Sequence, residues 1–440
     1  MRTQTITAVQ WPPRGLRTPA VAAFLLSAAL VLQGCTSSDD NSDGQDDSNG
    51  QVELVFFNQS RGQEETLTEL AADYEDQTGV GVTIETPGPG NYLQDLQSRA
   101  QAERMPDLYS ATDPFEMAPY YNAGWAMELS SELDGEWGET FSPAAVDLWR
   151  FADGNNLDVP EGIYSVHWET ALYAMLVAES TGISPDAPPE TMSELTTELS
   201  EEDAQFSVAA SLAHRLLLSY ASNFMTDEEL EATLAGRASW ETDAWRETFQ
   251  LLIDLRDAGV VASDEIPGGT EDNPGVEQSF FSVRDVEAIF DGTFGIGVQR
   301  ATAPEFTEYF SMGVPAADNG AHEPRAVARR GRGAVVNPEG EHPDEALAFA
   351  RWLTEPEQQQ VFADEVGMIP TSAELLDSGS IPPEMQGFAA LAEDAQVLPG
   401  AFMAADVEDA ISRASQSIVL GEMSVEEALA QVQAAQDQSS

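Results

Sequence analysis

VELVFFNQSRGQEETLTELAADYEDQTGVGVTIE, residues 52–85, changes its hydrophobic period twice within one short span. Val52 to Phe57 is a compact β-rich run. In the next segment Leu67, Leu70, Ala71 and Tyr74 recur at helical spacing, until Gly79 supplies a stop. Val82 to Thr86 is apolar and β-branched again, so the stretch reads strand, helix, strand. Downstream the pattern continues: a helix over Tyr92 to Ala102, then a short strand over Asp107 to Ser110 after Pro106. A repeated β-α-β order predicts an α/β fold, with a mostly parallel sheet covered by helices on both faces. Ligands of such sheets sit beyond the carboxyl ends of the strands.

Later segments mix helices with short strands. Glu241 to Ala258 is an amphipathic helix ended by Gly259, and Val286 to Val298 holds short apolar runs broken by three glycines. Glu345 to Leu353 and Glu357 to Val366 are helices divided by Pro356, and Val425 to Ala435 is a last helix. The sequence shows no internal repeat.

Upstream of Val52 the composition changes. Arg2, Arg14 and Arg17 precede the apolar run Ala20 to Leu32, which is short for a membrane span and has the charge order of a secretory signal. Residues 1–34 are read as that signal. Leu32-Gln33-Gly34-Cys35 resembles a bacterial lipobox, with Gln33 where a small residue is usual. The resemblance implies that Cys35, the sole cysteine of 440 residues, carries lipid; the alternative is an ordinary signal with an incidental thiol. Residues 36–51 have no large apolar side chain and read as a solvated tether, so 35–51 form a lipidated linker. Asp39-x-Asn41-x-Asp43-Gly44 matches the first half of a calcium loop, but Gly50 occupies the position of the bidentate glutamate. No metal site is assigned.

Every one of the 19 basic residues is arginine, against 77 acids, for a net charge of -58. Such a surface repels nucleic-acid phosphates and anionic headgroups, which argues against either as a partner. It also repels itself at low ionic strength, and salt screens that repulsion. The expectation is an acidic, halophilic surface working outside the cell.

The collinear order of several pieces resembles a family 1 extracellular solute-binding protein, the maltodextrin-binding type that serves an ABC importer. The resemblance rests on residues 52–85, on RMPDLYSATDPFEMAPYYNAGWAMEL, GIYSVHWETALYAMLV and FDGTFGIG, and on GRGAVVNPEGEHPDEALAFARWLTEPEQQQVF, GMIPTS and GEMSVEEALAQVQ. It implies a two-lobed, type II periplasmic-binding-protein-like α/β fold, with crossover strands and a ligand cleft between the lobes. Residues 52–163 plus 312–370 are assigned to lobe 1, and 164–311 plus 371–440 to lobe 2. The implied partners are a small solute, most simply a sugar, the importer's membrane subunits, and the membrane through the lipid anchor. The implied state is a monomer at the outer face of the membrane or in the periplasm, with no cofactor.

Candidate ligand contacts follow residue by residue. Asp113 stands where the family places an acid that accepts from sugar hydroxyls, and Asp followed by Pro114 is also a good helix N-cap. Asn58 and Gln59 end the first strand, as cleft contacts or as a plain turn. Trp168 and Glu169 fall at the crossover, the alternative for Trp168 being a structural core role. Phe294 aligns with a stacking aromatic, or else belongs to the core, and Met403 lies where another such aromatic is often found. Arg325, Arg329, Arg330 and Arg332 crowd a Gly-rich stretch. Arginine forks suit a carboxylate or phosphate, so Arg330 and Arg332 point to an anionic solute unless the cluster neutralises the chain's own acids.

Enzyme readings find little support. His167, His214, His322 and His342 lack zinc spacing, no G-x-S-x-G elbow occurs, and GTFGIG has its glycines in the wrong order for a dinucleotide loop. A secreted carbohydrate hydrolase and a metal or iron-chelate receptor remain the competing classes. Tyr120 and Tyr121, being adjacent, diverge on a helix and make a poor iron site.

Overall fold

The computed structural model describes residues 52–59, 62–88, 91–261, 274–378 and 381–439. The signal, Cys35, the tether and the half calcium loop lie outside the described residues.

The first sheet is built as the period changes foretell. Glu53–Phe57 has two parallel neighbours, Gly81–Glu85 on one side and Leu108–Ser110 on the other. Between the first two strands the helix Glu64–Thr78 buries Leu67, Leu70, Ala71 and Tyr74. Gly79 ends it at φ 78°, a left-handed conformation open to glycine, and donates its N–H to the Glu75 carbonyl at 2.7 Å. Asp107 lies just outside the third strand and accepts from the Val55 N–H at 2.9 Å, which fixes where the two strands meet.

Beyond Leu108–Ser110 the sheet is no longer parallel. Gly333–Val336 runs antiparallel to it, and Val166–His167 forms the far edge, also antiparallel to Gly333–Val336. These are crossover segments, so their direction is set by the return of the chain and not by a β-α-β step. Alternate side chains of the sheet enter separate cores. Leu54 and Phe56 join Trp149, Trp168 and Phe349, whereas Phe57, Tyr109 and Val335 join Tyr92, Tyr121 and Phe151.

The second lobe is organised on Glu169–Ala178, a ten-residue strand that is almost wholly buried. It pairs antiparallel with Ala288–Gly292, Tyr309–Met312, Ala328–Arg330 and Ile369–Pro370. Phe206–Val208 adds to Ala288–Gly292 in parallel. A strand covered on both faces needs a continuous apolar run, and LYAMLVA within Glu169–Ala178 is one. Helices Asp243–Asp257, Ala405–Val419 and Val425–Ser439 complete this core, the first capped by the Thr242 hydroxyl on the Trp245 N–H.

Two sequence expectations change here. Val286 to Val298 is not a set of broken apolar runs but a strand, Ala288–Gly292, followed by a helix, Phe294–Thr302. A Cβ on Gly295 would stand 2.4 Å from Asp291 Oδ2, so this glycine serves tight packing inside the helix. The second change concerns the lobes. Val314, Ala317, Ala326 and Val327 pack in the second core, although 312–370 were assigned to the first, and Val166 and Trp168 pack in the first core. The reason is strand register: Tyr309–Met312 is still paired to Met175–Ala178, and the chain rejoins the first sheet only at Gly333.

Candidate functional site

Where the two cores meet, a cavity of about 140 Å³ is lined by Thr112, Asp113 and Pro114 from the first lobe. His214, Arg215, Arg329, Glu408 and the 396–403 segment supply much of the rest. Thr112 and Asp113 follow the strand Leu108–Ser110, so the cavity lies off a strand's carboxyl end, as expected for this class of sheet.

Asp113 is the helix N-cap read for it, and it also lines the cavity. Its Oδ1 accepts from the Phe115 N–H at 2.9 Å and caps the helix Pro114–Asn122, while Oδ2 faces Arg329 Nη2 at 3.4 Å. Arg329 Nη1 also points to the Tyr173 hydroxyl at 3.4 Å. Tyr173 and Asp113 together hold the guanidinium more firmly protonated than usual, in spite of burial. Arg215 lies over the Tyr173 ring at 4.8 Å and 3.9 Å from Glu408. Burial raises the Glu408 carboxyl above its ordinary range, with Arg215 opposing. His214 is buried with Nε2 3.5 Å from Glu408. Burial, then Arg215 and Arg329, push its pKa well down, so the ring is neutral at ordinary pH.

Arg330 is held differently. Its Nε donates to the Leu148 carbonyl at 2.9 Å and Nη2 to the Arg150 carbonyl at 3.2 Å, at the end of the helix Pro143–Trp149. Its guanidinium carbon stands 4.1 Å from the Phe151 ring centroid and 5.6 Å from that of Phe402. The 396–403 segment is tied across the lobes. Asn156 exchanges hydrogen bonds with the Phe402 main chain at 2.7 and 3.0 Å, and the Ala152 N–H reaches the Pro399 carbonyl at 3.1 Å.

Of the residues singled out from sequence, Asp113, Arg330 and Met403 line this cavity. Arg329 of the same arginine cluster lines it as well, and the other seven residues do not. Asn58 is buried and donates to Thr86 Oγ1 at 3.1 Å, and the exposed Gln59 gives its N–H to Ser110 Oγ at 2.9 Å. Trp168 is fully buried, stacked on Phe362 at 5.3 Å, with Nε1 donating to Gln63 Oε1 at 3.3 Å. Glu169 pairs with Arg332 at 2.8 Å in the crossover. Phe294 opens a helix and meets the edge of Tyr173 at 6.1 Å. Arg325 is paired with Asp227.

Sequence reasoning passed over Thr112, His214, Arg215, Gln396 and Glu408. A signal existed for two of them. The helix Ala213–Ala221, AHRLLLSYA, is buried on all sides, and His-Arg in such a helix must meet a partner or a cavity. Glu408 and Gln396 come from distant parts of the chain and carry no local mark.

A sequence profile of the bacterial extracellular solute-binding proteins matches residues 59–360. No curated protein is similar to the chain at a significant level. Among solved structures, a probable secreted solute-binding lipoprotein from Streptomyces coelicolor superposes with TM-score 0.71 at 18% identity, covering 87% of this chain and 98% of that one. The cyclic alpha-maltosyl-1,6-maltose binding protein from Arthrobacter globiformis gives 0.68 at 19%, covering 88% and 99%. The maltose/maltodextrin-binding domain MalE from Bdellovibrio bacteriovorus, bound to maltotriose, gives 0.65 at 17%, with the same coverage.

Proposed function

The chain belongs to the bacterial extracellular solute-binding protein family, and from that premise we propose that it captures a sugar or oligosaccharide between its lobes and delivers it to an ABC importer. The observation that carries the sugar reading is a set of buried polar atoms around one cavity. Thr112 Oγ1, Arg330 Nη1 and Gln396 Oε1 have no hydrogen-bond partner among the described residues, and all three residues line it. A buried polar atom without a partner costs on the order of 1–3 kcal/mol. A polyhydroxylated solute supplies both donors and acceptors to such a wall, while Leu398, Phe402 and Met403 offer apolar faces to its carbons. The structural neighbours named for maltose-type ligands support the same class.

In this reading, a solute contacting Asp113 from one lobe and Arg215 or Glu408 from the other stabilises the closed state, and closure is what the importer recognises. Cys35 carries the lipid anchor, the tether gives the receptor reach, and the receptor works as a monomer in a saline medium.

The test is a thermal-shift screen of the purified protein in molar salt against sugars, polyols, amino acids and metal ions. A ligand at one hundred times its Kd adds about 2.7 kcal/mol to the native state. A sugar that raises the melting temperature and is recovered unchanged is the expected result. Consumption of the sugar turns the case to a hydrolase, and a shift with amino acids or metals alone overturns the sugar reading.

A further inference from the structure

Across the chain, acids outnumber basic residues 77 to 19. The cavity inverts that ratio, because its charged lining is Arg215, Arg329 and Arg330 against Asp113 and Glu408. Two of the arginines are answered by carboxylates, Arg329 by Asp113 at 3.4 Å and Arg215 by Glu408 at 3.9 Å. Elsewhere in the arginine cluster, Arg325 and Arg332 are spent on Asp227 and Glu169. Arg330 differs from all of these. Among the described residues no carboxylate lies within ion-pair distance of it, and its contacts are two main-chain carbonyls and two aromatic rings. Burial lowers its pKa to about 10, with Tyr121 and Asp113 too weak to offset the loss of hydration. Its Nη1 is buried and has no partner among the described residues.

We propose that the captured sugar carries one carboxylate, as a uronic acid does, and that Arg330 Nη1 receives it. This rests on the sugar-capture reading and narrows it to a substrate class. Three guanidiniums facing two carboxylates leave one positive charge, which a single carboxylate neutralises. A phosphate monoester carries up to two negative charges and overshoots beside Asp113 and Glu408. A neutral sugar brings no counter-charge to the half-buried Arg330 guanidinium. The protein's overall charge opposes the approach of any anion, so a locally positive cavity is what makes an acidic solute bindable, and a saline medium removes the long-range part of that opposition.

The experiment is calorimetric titration in 1 M NaCl with matched pairs: galacturonate against galactose, glucuronate against glucose, and disaccharides ending in each. The expected result is that the acid binds about ten-fold more tightly than its neutral counterpart, or better. Arg330→Gln is expected to erase the preference, so that the acid and its neutral counterpart bind alike, both more weakly than the neutral sugar binds the native protein. Neutral sugars binding as tightly as the acids overturn the carboxylate while the sugar reading stands, and no binding by either series overturns both. A preference that persists in folded Arg330→Gln overturns the role of that residue. If this variant does not fold, the matched pairs on the native protein still decide, and Arg330→Lys supplies the second variant, expected to keep a reduced preference.

Discussion

His167→Asn tests how dry the crossover between the lobes is. The imidazole is completely buried, its Nδ1 donating to the Gly331 carbonyl at 2.8 Å and its Nε2 accepting from the Ser165 hydroxyl at 2.9 Å. Burial, reinforced by the Arg330 charge, pushes its pKa down to about 3. In the unfolded chain the same ring titrates near 6.5. Between those values the unfolded state holds a proton that the native state refuses, so this histidine's contribution to stability is complete above about pH 6.5 and is lost as pH falls toward 3. Each unit of pH is worth about 1.4 kcal/mol, which makes the loss about 2.7 kcal/mol at about pH 4.5. Asparagine retains a donor toward Gly331 and has no proton to refuse. Urea unfolding of both proteins at about pH 7 and pH 4.5 in the same molar salt isolates the effect, because His214 and the carboxylates are common to both. The native protein is expected to lose about 2.7 kcal/mol more than the variant over that interval. Parallel pH profiles would show that water reaches the ring and would refute the reasoning.

Two other perturbations separate readings of the charges. Glu169 in the Glu169–Arg332 pair has a side chain only 4% exposed, whereas that of Arg332 is 22% exposed. Arg332→Ala therefore strands a buried carboxylate and is expected to lower stability by about 3–5 kcal/mol, clearly more than Glu169→Ala, which leaves an arginine that water can reach; equal losses in denaturant melts would contradict this. For the whole surface, raising NaCl from dilute buffer to about 1 M shortens the screening length to about 3 Å and is expected to raise the melting temperature on the order of 5 °C or more. Coincident melts would remove the halophilic reading.

Much of the fold was legible because the decisive signals are local. The helix Glu64–Thr78 ends at Gly79 as its apolar spacing and glycine indicate, and Pro356 opens the helix Pro356–Val366 that it was expected to delimit. The site was legible only in part. Asp113 announced itself through strand, cap and proline together, but Trp168 and Arg332 lie in a crossover where residues two or three apart serve different cores. No periodicity records which lobe a side chain there will face. Phe294 packs against the second core, the alternative given for it, and the glycine after it is small to let a helix turn pass Asp291. Glu408 reaches His214 and Arg215 from roughly two hundred residues away, and nothing in one sequence marks such a meeting.

The antiparallel return of Gly333–Val336 bears on when this protein can fold. That strand sits between Leu108–Ser110 and Val166–His167, which precede it by roughly two hundred residues, and Ile369–Pro370 closes on Glu169–Ala178 across a similar gap. Neither lobe is thus a contiguous length of chain. A polypeptide emerging in order cannot complete its first sheet until most of the second lobe has also been made, and pairings so far apart in sequence form slowly. The family is an extracellular one, and a topology that closes late lengthens the time for which a chain stays unfolded and able to be threaded.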